Sequence, residues 1–184
     1  MTILGSIVRT LLALFSRDRL PLIGLSFIVL LASTFVGTFS PPDPNLAKQL
    51  EETLKLYEQY GPLVILINNG LVSIIMMIPL LGLGQAIYIA YTTGVALASI
   101  ASLAGMDPLL SLLFTLVMPH TIMEFLAYSM ALTENLALCQ RILTRKDLDK
   151  ELRYLVATLV MVALMLTAAM LVETATIGIL SGGA

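Results

Sequence analysis

Met118-Pro119-His120-Thr121-Ile122-Met123-Glu124 puts the single histidine of the chain and a carboxylate one helical turn apart. The stretch lies inside an apolar run that begins after Asp107 and, beyond Glu124, meets its next charge only at Glu134. Such a run is long enough to cross a hydrocarbon core of ~30 Å. An ionisable side chain in that setting is costly, so it faces a protein interior or a wet cavity and finds a partner there. One short segment thus points to a membrane fold and marks the place within it where chemistry would concentrate.

The composition agrees with this reading. Of 184 residues, 58 % are hydrophobic and 12 % charged, and the mean hydropathy is +0.96, a combination outside the range of soluble globular chains. The length leaves no room for a sizeable soluble domain, so residues 1–184 read as a single all-α membrane domain. No long basic cluster suggests a nucleic-acid partner. Cys139 stands alone and can form neither an internal disulfide nor a thiolate metal site, which leaves it as a packing residue at a helix end.

Working outward, Asp107-Pro108 supplies an N-cap and a first-turn proline for a span over 108–136. At 1.5 Å per residue that helix exceeds the membrane core, and Pro119, lacking an N–H for the Thr115 carbonyl, predicts a kink beside His120. On this frame His120 falls near the bilayer centre. The final span, 153–173, ends at Glu173, an acidic residue expected at the outer surface and away from Glu124. Toward the N-terminus, residues 63–104 carry no charge and are long enough for two spans, 63–81 and 84–104, divided by a turn around Pro79, Gly82 and Gly84. Asn68 and Asn69 sit near the outer end of the first. Ala90, Gly94, Ala98 and Ser102 make a small-residue ridge on the second, a face for close helix packing.

Residues 20–39 form another span. Residues 1–16 read as an amphipathic interfacial helix, with Ile3, Leu4, Ile7, Val8, Leu11, Leu12, Leu14 and Phe15 on one side. Asp43-Pro44 opens a short amphipathic helix reaching Tyr60, with Lys48/Glu52 and Glu51/Lys55 spaced as ion pairs. The prediction is a polytopic helix bundle of five transmembrane helices, plus the interfacial helix and the short extracytoplasmic one. Eight of the ten Lys and Arg fall at residues 9–19 and 141–153, which the positive-inside rule places in the cytoplasm of a cell-membrane protein. The N-terminus is then inside and the C-terminus outside.

The Pro119-His120 pair followed by Glu124 in the penultimate span resembles the hallmark of the stage II sporulation protein M family, Pro-His-Gly with Glu three residues after the glycine. Threonine takes the glycine position here. Asn68-Asn69, Gly82-Leu83-Gly84, Thr93-Gly94 and Glu173 are further family-like pieces, and the likeness covers roughly residues 20–180. The resemblance implies a small prokaryotic integral membrane protein. In spore formers it implies a scaffold within a complex that remodels peptidoglycan during engulfment. The family also occurs in organisms that make no spores, archaea included.

The residues themselves exclude some chemistries. A zinc protease of the HExxH type needs two histidines, and a serine hydrolase needs a nucleophile elbow that the chain lacks. No catalytic residue, cofactor or metal site is therefore assigned, and no enzyme activity is expected. Two functions stay open for a polar intramembrane node of Pro119, His120, Glu124, Asn68 and Asn69. The first is a scaffold or partner subunit in which the node fixes helix register, with the lipid bilayer, further copies of the chain or other cell-envelope proteins as partners. The second is a transporter or permease-like protein that moves protons, ions or a small substrate through the node.

Overall fold

Helix ends in this protein are set by prolines and caps, and the apolar runs between them do the rest. The computed structural model describes residues 10–146 and 148–181, apart from the side chains at 50, 54, 57, 58 and 179–181. After a helical segment at residues 10–13 come α1 (Leu20–Thr38), α2 (Pro44–Tyr60), α3 (Leu63–Met77), α4 (Gly82–Leu103), α5 (Pro108–Val117), α6 (Pro119–Leu143) and α7 (Asp149–Ser181). No strand occurs among the described residues. The expected interfacial helix over 1–16 falls largely outside the described residues. Its described part stops being helical after residue 13, with Leu14 buried and Leu12 and Phe15 exposed.

Of the five expected spans, not all meet the length and apolarity of a membrane crossing. Among the described residues three helices, α1, α4 and α7, are long and apolar enough to cross a membrane, and the pair α5 and α6 makes a fourth candidate if taken as one broken span. α3 has 15 residues, or ~22 Å of rise, less than a bilayer core.

Instead of a kink within 108–136, the chain breaks at Met118, whose backbone is extended, and α6 leaves α5 at 84°. Pro119 then stands at the start of a new helix, where its missing N–H costs nothing. The Thr115 carbonyl, expected to be open, accepts from the Met118 N–H at 3.2 Å. Because α6 starts afresh at Pro119 and runs to Leu143, His120 lies in its first turn and not at the middle of a continuous span.

Helices in lipid gain little from burying apolar side chains against one another, so close approach between small residues matters most. A Cβ on Gly94 would lie 2.0 Å from the Thr34 carbonyl oxygen, and one on Gly37 would lie 2.0 Å from that of Tyr91. These two glycines let α1 and α4 pack backbone to backbone, so Gly94 of the small-residue ridge seats a helix of the same chain. The reversal between α3 and α4 uses Leu80 at a φ of 70°, a conformation expected of glycine. Gly82 is required instead for its size, since a Cβ there would meet the Met76 carbonyl oxygen. Cys139 accepts the Leu80 N–H at 3.0 Å, and the Asn135 amide donates to the Ile78 carbonyl, so α6 clamps this turn. On α2, the Asp43 carboxylate caps the Asn45 N–H at 2.8 Å. Lys55 pairs with Glu51 at 2.8 Å, and that hydrogen bond holds the Glu51 carboxyl below its usual range.

Candidate functional site

Two polar regions stand ten residues apart on α6, or ~15 Å of helical rise. The first surrounds His120 and Glu124. The Asn69 amide of α3 donates to Glu124 Oε1 at 2.6 Å, and the Asn69 carbonyl in turn accepts from the Ser73 hydroxyl at 2.8 Å. Asn68, Asn69, His120, Glu124 and Glu173 all line one cavity of about 390 Å³, to which each of the seven helices contributes. Most of its wall is apolar, including Leu30, Val72, Met76, Leu112 and Phe125, while Thr53 reaches it from α2. Nδ1 of His120 is buried without a hydrogen-bond partner. Pro119 is exposed and starts the helix without lining the cavity.

Glu173 belongs to this region, contrary to the expectation that it lies away from Glu124. The reason is helix register. α6 and α7 are joined by a short loop and run antiparallel, with Thr158 donating to Glu134 Oε1 at 3.0 Å. Glu173 lies fifteen residues beyond Thr158 and His120 fourteen residues before Glu134, so equal rises of ~21–23 Å bring them abreast. Glu173 and Glu124 thus line the same cavity.

The second region was not anticipated. Arg19, which directly precedes the expected span 20–39, is only 8 % exposed, and Glu134, the next charge after Glu124, is 1 % exposed. Arg19 Nη2 donates to Glu134 Oε1 at 2.5 Å and lies 3.4 Å from Glu151 Oε2, while Arg141 Nη2 reaches Glu151 Oε1 at 3.2 Å. The Arg19 guanidinium also sits 4.3 Å from the ring centre of Tyr154. About two turns along α1 from Arg19, the hydroxyl of Ser26 meets that of Thr133, the neighbour of Glu134, at 3.1 Å. Two cations and two carboxylates thus tie the start of α1 to α6 and α7. The space left among Arg19, Glu134 and Thr158 is about 10 Å³, room for one water at most, although Arg19 Nη1 and Glu134 Oε2 have no protein partner.

Glu134 was missed because 108–136 was read as one helix. A span counted from Pro119 reaches its twentieth residue at 138 and leaves Glu134 inside it. Serine and threonine at 26, 133 and 158, each in an apolar run, were the remaining signal. Among the described residues, no three His, Cys, Asp or Glu side chains are grouped so that they could hold a metal ion.

Compared with curated proteins and with solved structures, the chain finds no match in either. A family model does match: that of Stage II sporulation protein M aligns with residues 26–176, a range that takes in Asn68, Asn69, His120, Glu124, Glu134 and Glu173. This integral membrane protein therefore belongs to the stage II sporulation protein M family.

Proposed function

We infer that the protein is a solute-binding, permease-like subunit of the cell membrane, and that the cavity beside His120 and Glu124 is where a small molecule is held. One observation carries this reading. The His120 side chain and the carboxylates of Glu124 and Glu173 border about 390 Å³ of space, a volume in the range of small-molecule sites. A network that only fixes register would be packed shut, as the Arg19 cluster is. Intramembrane carboxylates and histidines beside a broken helix are also the usual furniture of solute and ion pathways. The reading assigns no catalytic step to these residues. It takes the end bearing Arg19, Arg141 and Arg153 as cytoplasmic, by the positive-inside rule, which puts the cavity toward the opposite face beneath α2.

The scaffold reading has its own support in the Arg19 cluster. That cluster makes one end of the bundle rigid, as a subunit holding a second copy or another cell-envelope protein requires. Native mass spectrometry of protein released gently from its membranes separates the two. The solute reading expects a small-molecule adduct on the wild type that Thr93→Trp, placed to fill the cavity, removes. Protein free of any adduct and always recovered with a stoichiometric partner chain would overturn it in favour of the scaffold.

A further inference from the structure

The charge of the cavity is one-sided. Two carboxylates, Glu124 and Glu173, line it, and among the described residues no lysine or arginine does. Elsewhere in the fold buried carboxylates are matched: Glu134 and Glu151 share Arg19 and Arg141. A carboxylate pair in a low-dielectric wall is costly unless a positive charge joins it. Asn69 engages only Oε1 of Glu124, which leaves the other oxygen for an occupant. Phe125 and Tyr128, which follow Glu124 on α6, line the same space and can attract a cation through their π-systems. The wall beyond them is hydrocarbon. With no three-residue His, Cys, Asp or Glu group able to ligate a metal among the described residues, a divalent metal ion is not the occupant that this chemistry fits.

We propose that the cavity selects a monovalent organic cation, an ammonium-type head carried on an apolar body. The head sits between Glu124 and Glu173, and the body lies along the apolar wall toward Leu30 and Leu112. The proposal rests on the solute-binding reading above and narrows it to one charge class.

Tetraphenylphosphonium and tetraphenylborate share a shape and differ in the sign of their charge, so equilibrium binding of each to the protein in nanodiscs, with empty discs subtracted, tests the proposal. The expected result is saturable binding of the phosphonium only. Glu124→Gln with Glu173→Gln weakens it at least tenfold, and Glu173→Gln alone, a milder change at a half-buried position, weakens it by less. Equal binding of the two ions, phosphonium affinity unchanged in the double variant, or no saturable phosphonium binding would overturn the proposal. A parallel readout separates its failure from that of the cavity itself. Thr93→Cys in a Cys139→Ala background should react with a small neutral thiol reagent. Reaction without cation binding sinks the cation class alone, whereas no reaction sinks the solute-binding reading as well.

Discussion

At one end of α6, Arg19, Glu134, Glu151 and Arg141 form a cluster with equal numbers of positive and negative groups and about 10 Å³ of free space. Some 15 Å along the same helix, Glu124 and Glu173 face about 390 Å³ with the Asn68 and Asn69 amides and the His120 imidazole beside them and no lysine or arginine among the described residues. Both regions hold carboxylates within a membrane bundle, so burial alone does not distinguish structural from functional charge. Compensation and space do. A balanced, tightly packed cluster has its partners built in and holds helices in register. An unbalanced one next to a cavity leaves part of its partner set to come from outside.

The largest expected effect falls on the closed cluster. Arg19→Ala strands Glu134 and Glu151 beside a single arginine, and breaking a buried pair in this way costs about 3–5 kcal/mol. Thermal unfolding in detergent should show a large drop in the midpoint. Changing both partners sharpens the comparison. Arg19→Met with Glu134→Leu removes the uncompensated charge along with the pair and should recover most of that loss. If the double variant is as unstable as Arg19→Ala, the cluster matters for more than charge balance.

At the cavity the same kind of change should act in the opposite sense. Glu124→Gln keeps an acceptor for Asn69 and removes a carboxylate that has no basic side chain among the described residues lining its cavity, so the midpoint should stay within about 1 kcal/mol of the wild type or rise. A loss as large as that of Arg19→Ala would erase the distinction between the two regions. The smallest effect belongs to the exposed pair on α2. Lys55 lowers the Glu51 carboxyl, so the pair's contribution is present above the ordinary carboxylate range and is lost as pH falls below it. Solvent screening should nevertheless leave the midpoint of Lys55→Ala unchanged at pH 7.

Much of this architecture is legible along the chain because its causes are local. Asp43-Pro44 and Asp107-Pro108 announce helix starts through cap geometry that needs only neighbouring residues, and both helices begin where those pairs predict. The apolar runs betray the membrane because lipid demands length and composition from each segment separately. The family hallmark brought Asn68, Asn69, His120, Glu124 and Glu173 into view as residues to watch. Other features were not legible. Whether Pro119 bends a helix or starts one depends on what α5 packs against, and that choice moved Glu134 from the end of a span to its interior.

What the sequence determined by itself, then, is an all-helical membrane protein, the position of several helix starts, and a short set of polar residues too costly to be incidental. Only the tertiary structure decided which of those residues meet. The 84° break at Met118 restarted the count of helical rise, the antiparallel register of α6 and α7 carried Glu173 to the cavity, and the packing of α1 against α6 brought Arg19 to Glu134. The physical reason is one of range. Caps, prolines and hydropathy act over a few residues, whereas the pairing of charges 115 positions apart depends on how whole helices lie against one another.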